Sequence, residues 1–303
     1  MCGIAGFVGE GSSEDIARMN AAQAWRGPDG EGTWADPVHP VYLGHMRLSI
    51  IDLAGGAQPM WTEDEKVGVV FNGEIYNHAE LRAELKELGA GFVSDHSDTE
   101  VLLHGYRIWG DGFVDRLNGM WAFVIYDRRR RRLFASRDRF GKKPLYYTHR
   151  PGLFAFASEL TALSAHRAIR CPISMTALRK YFAYGYIPAP HSILESVYKL
   201  PAGHCLEHDL TSGSLRTWKY WDFVLEPFED LPADAEPRAE VMIRLPSASV
   251  SERPRVTAKN NAPPTHLPGA AIPYALTGVP EMAIGDRTER AADHDHHHVA
   301  GAD

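Results

Sequence analysis

The chain opens Met1-Cys2-Gly3-Ile4-Ala5-Gly6, a small, apolar run with a thiol in second place. If Met1 is removed, Cys2 carries the α-amine of the chain, and a thiol nucleophile and its proton acceptor then share one residue. A free α-amine has a reference pKa near ~8, so a useful fraction is base at neutral pH. It can take the thiol proton, directly or through a water, and return it to a leaving amine, the logic of enzymes with an N-terminal threonine. Cys is small, and small residues after an initiator Met generally permit its removal. Taken alone, however, Cys2-Gly3 reads first as an ordinary buried cysteine, and the rest of the chain has to decide.

Outward from that stretch, residues 2–222 carry short strand-like runs: Val67 to Phe71, Trp121 to Tyr126, Leu133 to Ser136, Leu145 to Thr148 and Leu153 to Ala157. Helices are interleaved. Ser12 stands three before Asp15, a capping-box spacing, ahead of Ile16 and Met19. Asn77 stands three before Glu80; Leu81, Leu85 and Leu88 then share a helical face, and Gly89 supplies a stop. Ser97 stands three before Glu100, followed at helical spacing by Val101, Leu102, Tyr106 and Trp109. Strands grouped with helices, without strict alternation, predict an α+β layered fold. The five arginines Arg128 to Arg132 read as a solvated hairpin turn between two strands.

Further stretches stand in a definite order: Arg26-Gly-Pro-Asp29, Gly44-His-Met-Arg-Leu-Ser-Ile-Ile-Asp52, Gln58-Pro-Met60, Phe71-Asn-Gly-Glu-Ile-Tyr-Asn77 and Ser97-Asp-Thr-Glu100. Beyond them come Arg137-Asp-Arg-Phe-Gly-Lys-Lys-Pro-Leu-Tyr-Tyr147, Phe156-Ala-Ser-Glu-Leu160, Tyr184-Gly-Tyr-Ile-Pro-Ala-Pro190, Lys199-Leu-Pro-Ala-Gly-His204 and Tyr220-Trp-Asp222. With Met1 to Gly6, this set resembles class II glutamine amidotransferases, and most closely their asparagine-synthetase branch. The resemblance runs from the start of the chain to about Asp222.

The resemblance implies an N-terminal-nucleophile fold, a four-layer αββα sandwich of two antiparallel sheets between helices. It also implies roles. Cys2 is the nucleophile. Asn72 and Gly73 match the oxyanion hole, where one well-aimed donor is worth roughly 3 kcal/mol. Arg47 matches the arginine that binds the carboxylate of L-glutamine, which a guanidinium can grip bidentately. Asp98 matches the aspartate that takes the substrate ammonium, although a first-turn helix acid also suits the macrodipole. Glu74 matches a substrate-contacting acid, and Arg26 is expected to shape the loop near the nucleophile. The implied reaction is hydrolysis of glutamine through a thioester, with no metal and no cofactor. The competing reading is a non-catalytic module that keeps the fold and recognises glutamine, which an uncleaved Met1 would favour, or a remnant of a longer synthetase.

Composition changes after Asp222. Residues 223–303 hold 7 Lys+Arg against 13 Asp+Glu, so 7 − 13 = −6 of the net charge of −7. They hold 10 of the 20 prolines, and their only aromatics are Phe223, Phe228 and Tyr274. Few large groups to bury and many prolines predict a largely disordered tail. A full asparagine synthetase continues with an ATP-dependent domain whose phosphate loop is Ser-Gly-Gly-x-Asp-Ser. Here the one Gly-Gly pair, Gly55-Gly56, leads into Ala57-Gln58-Pro59. The expectation is therefore that the ligase half, with its ATP and Mg, is absent from this chain. The tail then reads either as aberrant or truncated sequence or as the end of a standalone glutaminase serving a separate synthetase subunit. An uncovered face should remain where that domain would dock, open to a partner or to self-association. The Asp293-His-Asp-His-His-His298 run reads as a solvated tail end rather than a metal site.

The remaining bulk properties exclude classes. The acidic balance, with a net charge of −7, argues against nucleic-acid binding. No apolar run approaches the roughly 20 residues that span a bilayer. Cys2, Cys171 and Cys205 form no CxxC pair, which suits a cytoplasmic protein with reduced thiols.

Overall fold

The computed structural model describes residues 1–53, 55–170 and 172–223. Cys171, the tail after Phe223 and the acidic-histidine run near its end lie outside them. Two six-stranded sheets, antiparallel throughout, form the centre. The first is built from β1 (Gly3–Gly9), β2 (Gly30–Ala35), β3 (Val41–Arg47), β8 (Tyr146–Arg150), β9 (Leu153–Ala157) and β10 (Val197–Lys199), in the order β10-β8-β9-β1-β3-β2. The second contains β4 (Met60–Trp61), β5 (Val67–Ile75), β6 (Gly119–Asp127), β7 (Arg132–Arg137), β11 (His204–Asp209) and β12 (Leu215–Lys219), in the order β12-β11-β7-β6-β5-β4.

Strand alternation sends successive side chains to opposite faces. Val70, Val124 and Ala135 therefore face Ile4, Leu43 and Phe156 across the gap between the sheets. The outer face of the second sheet, with Val69, Phe71, Phe123 and Ile125, is covered by α2 (His78–Glu87) and α3 (Asp98–Trp109). The outer face of the first sheet, with Ala5, Phe7 and Ala155, is covered by α1 (Ser13–Ala21) and α4 (Leu160–Ser164). Helices, sheet, sheet and helices make the four αββα layers that the resemblance implied.

Local chemistry starts the helices, but not always by the expected bond. Ser12 and Asp15 form the reciprocal capping box, the Ser12 N–H donating to Asp15 Oδ2 at 2.9 Å. Asn77 and Ser97 make no side-chain cap. The Asn77 amide instead donates to Arg116 O at 2.9 Å and accepts from Asn118 N at 2.8 Å, which fixes the entry to β6. Glu100 reaches back to the N–H groups of Val93 and Ser94, at 2.7 and 2.8 Å, and so folds the loop ahead of α3. Leu88 does not continue the buried face of Leu81 and Leu85; it caps α2 and is 54 % exposed.

The hairpin turn comprises Arg128 to Arg131, whereas Arg132 departs from the expected solvated run. It begins β7 and is buried, because its guanidinium is paired with Asp111 and Glu207 and donates to the Tyr106 hydroxyl at 2.8 Å. Among the described residues no helix is long and apolar enough to cross a membrane.

Candidate active site

The site forms where the two sheets meet at the start of β1. Ser158 pins that start, its Oγ accepting from Ile4 N at 3.0 Å and its N–H donating to Ile4 O at 2.8 Å. The register of β1 on β3 sets Gly3 opposite Met46. Cys2 consequently lies beside the residues that leave β3: Leu48 N donates to Cys2 Sγ at 3.4 Å, and Sγ lies 3.6 Å from Leu48 O. Arg26 Nε donates to Cys2 O at 2.8 Å, and its guanidinium is ion-paired with Glu159.

His45 ties the sheets together at this level. Burial pushes its imidazole down to about 4, so the ring is neutral near neutral pH. Its Nε2 lies 3.2 Å from Phe71 O, a distance at which Nε2–H donates to the carbonyl. This bond holds β5 against the first sheet one residue before Asn72. Alternation along β5 then turns Asn72 and Glu74 to the same face as Val70, toward the first sheet, while Phe71 and Ile75 face α3.

The backbone of β5 is equally ordered. Phe71 N donates to Gln58 Oε1 at 2.6 Å, and Ile75 N donates to Asp98 Oδ2 at 3.1 Å. Both bonds leave the edge of β5 that faces away from β6. Gly73, midway between them, directs its N–H from the same edge. A side chain is not tolerated there: a Cβ on Gly73 would lie 2.2 Å from Met120 O and 2.5 Å from Phe71 Cε2.

Cys2, Arg47, Asn72, Gly73, Glu74 and Asp98 all line one pocket, together with Met1, Gln58, Thr99 and Lys143. Asn72 is 1 % exposed, and among the described residues neither its Oδ1 nor its Nδ2 has a partner. Such an amide bears the cost of desolvation without recompense unless something in the pocket binds it. Arg47 is aimed by carbonyls at its back: Nη1 donates to Leu53 O at 3.0 Å and Nη2 to Asp52 O at 2.6 Å. The chain passes so close that a Cβ on Gly56 would lie 2.5 Å from Nη2. His96 holds that loop through Asp52 N, which donates to its Nε2 at 3.2 Å.

Asp98 opens α3. Burial raises its carboxyl above the usual range and the nearby Glu74 charge adds to this, while the bond from Ile75 N opposes it. A cation brought against Asp98 would relieve that strain. The chain's amino group, here on Met1, is lowered by burial and by the Arg26 and Lys143 charges. Arg47 and Asp98 thus bring opposite charges to the lining of one pocket.

Residues that sequence reading left without a role are Gln58 and Lys143. Gln58 joins β5 to α3, since its Nε2 also donates to Thr99 Oγ1 at 3.3 Å. Both stand in quoted stretches, Gln58-Pro-Met60 and Phe140-Gly-Lys-Lys-Pro144, so the signal was present, but only burial shows which of two adjacent lysines enters the pocket.

Residues 1–221 match the family described as the glutamine amidotransferase domain. Among curated proteins, the chain is 37 % identical over 238 residues to asparagine synthetase (glutamine-hydrolyzing) 3 of Bacillus subtilis, covering 76 % of this chain and 38 % of that one. It is 40 % identical over 211 residues to asparagine synthetase (glutamine-hydrolyzing) 1 of the same organism, covering 67 % and 33 %. The chain thus spans well under half the length of these relatives. Among solved structures, glutamine phosphoribosylpyrophosphate amidotransferase from B. subtilis superposes with a TM-score of 0.55 at 18 % identity, covering 74 % of this chain and 50 % of that one. At that identity the likeness concerns the fold. Pocket, four-layer architecture and family match agree: the chain belongs to the glutamine amidotransferase domain family.

Proposed function

We propose that this chain hydrolyses glutamine to glutamate and ammonia through Cys2, once Met1 has been removed. The observation that carries the reading is the unpartnered amide of Asn72, buried beside the Gly73 N–H in the pocket that also holds Cys2. Glutamine would lie with its carboxylate on Arg47 and its ammonium on Asp98, with Glu74 at hand. Cys2 Sγ attacks the side-chain amide carbon, and the α-amine accepts the thiol proton. Charge then gathers on the carbonyl oxygen, where Asn72 Nδ2–H and Gly73 N–H donate to it. The amine passes its proton to the departing nitrogen, so ammonia leaves and a thioester remains. Water adds to the thioester and releases glutamate and the thiol. This reaction uses no metal or cofactor.

The names of the curated relatives support a finer reading, in which the ammonia feeds an asparagine-synthetase-like amidation. ATP and Mg would serve a synthetase domain or subunit, with aspartate the default acceptor. We propose that such a partner docks on α5 (Met175–Tyr184). This helix buries Ala177 but exposes Met175, Tyr181, Phe182 and Tyr184, with Phe182 78 % exposed. A patch of that kind on a monomer favours association. Reduced Cys2 chemistry suits the cytoplasm.

One observation favours the alternative, a glutamine-binding module: with Met1 retained, its thioether lies in the pocket beside Lys143. The test is glutamate release from glutamine by the purified chain and by Cys2→Ala, with the N-terminal mass recorded. Turnover by the wild type but not by Cys2→Ala supports hydrolysis. A folded chain that lacks Met1 and is inert refutes it.

A further inference from the structure

Lys143 occupies an unusual position for a charged side chain. It is 6 % exposed and lines the pocket with Cys2. Among the described residues its ammonium has one polar partner, the Met1 thioether, with Nζ 3.3 Å from Sδ. Among the described residues no carboxylate stands within salt-bridge reach of it. A thioether is a weak acceptor, so the charge is desolvated almost without return.

The backbone beneath Lys143 is rigid. Asp138 accepts from the N–H groups of Phe140, Lys142 and Lys143, at 3.1, 2.9 and 3.0 Å. Arg137 donates to Lys143 O and to Gly141 O, both at 2.7 Å. The loop between β7 and β8 thus has little freedom to carry the ammonium back to solvent.

Under the glutaminase reading, on which this inference rests, Met1 is removed and its thioether goes with it. Lys143 then shares the pocket with Cys2, which carries both the thiol and the new α-amine. We infer that Lys143 is a positioning residue for the nucleophile: its ammonium faces the Cys2 thiol–amine pair and lowers the pH at which that pair gives up its first proton. A coupled pair loses its protons in two steps, and the midpoint of the first step belongs to the pair and not to either group. For the amine as it stands on Met1, burial and then the Arg26 and Lys143 charges favour loss of the proton, while Cys2 and Asp29 oppose it. Lys143 in turn faces Arg26, Asp138 and Glu74. Burial and Arg26 both lower its own ammonium from the ordinary lysine range.

The test compares wild type, Lys143→Met and Lys143→Arg, each with its N-terminal mass recorded. Two readouts are taken against pH: kcat/KM for glutamate release, and the alkylation rate of Cys2 by iodoacetamide, followed on the N-terminal peptide. Both acidic midpoints should rise by about one pH unit in Lys143→Met and return toward the wild-type value in Lys143→Arg. If Lys143→Met does not fold, Lys143→Gln, which keeps a donor but not the charge, answers the same question. Midpoints that stay in place while activity falls would overturn the inference and leave Lys143 a packing residue. Absence of glutamate release by a wild type lacking Met1 refutes the glutaminase reading instead. In that case the alkylation profile still reports on Lys143.

Discussion

Replacing Asn72 by Ala should move stability and catalysis in opposite directions. The side chain is buried, its two polar atoms have no protein partner, and it faces the pocket. Keeping an unsatisfied amide out of water costs about 1–3 kcal/mol. Truncation to Ala relieves that cost and forfeits packing of little more than one carbon, about 0.8 kcal/mol per buried methylene. Because the space opened is continuous with the pocket, water can enter it and no sealed void forms. The balance is a gain of roughly 0–2 kcal/mol, or a rise in Tm of a few degrees for a domain of this size. Under the proposed mechanism the same change removes an oxyanion donor, which should lower kcat about 10²–10³-fold. KM should change little, because the bond is made chiefly in the transition state. Thermal unfolding followed by circular dichroism and steady-state glutamate release, on protein whose Met1 is shown to be absent, measure both. A Tm lowered by several degrees with kcat within tenfold of wild type would show that Asn72 is a structural residue, and the assignment of the oxyanion hole would fall with it.

Asp98→Asn should likewise separate function from stability. Burial raises the Asp98 carboxyl in the folded chain, so the unfolded chain ionises first and stability drains away as pH climbs through the raised value. The amide variant should be the more stable protein above that pH in pH-dependent denaturant titrations, yet bind glutamine far more weakly. For the wild type, KM should rise as pH falls toward the raised Asp98 value, because the substrate ammonium needs the carboxylate. Gly73→Ala should cost about 1–3 kcal/mol and most of the activity, since a Cβ there meets Met120 O at 2.2 Å and pushes β5 from β6; unaltered unfolding and turnover would refute that packing argument. Arg132→Met should destabilise by about 1–3 kcal/mol, because Asp111 and Glu207 keep only their longer contacts to Arg130 and Arg216, at 3.9 and 3.7 Å, with turnover per folded molecule unchanged. A light-scattering series should show self-association that Phe182→Ser weakens; a wild type that stays monomeric over a wide concentration range would count against the α5 docking face.

How far these features could be read in advance follows the range of the forces involved. Strands with a strong apolar run, such as Val67 to Phe71 within β5 and Trp121 to Tyr126 within β6, were legible, because alternation and β-propensity act over a few residues. Short or mixed strands were not: β4 is two residues long, and β12 exposes most of its side chains. They hold their place through neighbours in the sheet. Helix starts at Ser12, Asn77 and Ser97 were visible, yet of the three only Ser12 caps as its spacing foretold. Asn77 and Glu100 found partners in other segments, Arg116 and Asn118 for one, Val93 and Ser94 for the other. The burial of Arg132 was equally out of reach, because Asp111 and Glu207 lie far from it in the chain.

By itself, the sequence determined the layered α+β class and the places of five strands and three helices, which are properties of local pattern and composition. The candidate residues Cys2, Arg47, Asn72, Gly73, Glu74 and Asp98 stood out only through the ordered stretches that resemble a family. Tertiary structure alone decided that Cys2 meets Leu48, that His45 brings β5 against the first sheet, and that one of two adjacent lysines is buried at the nucleophile. Such contacts join residues tens of positions apart. They arise from strand register and from the packing of one sheet on another, which no window of sequence contains.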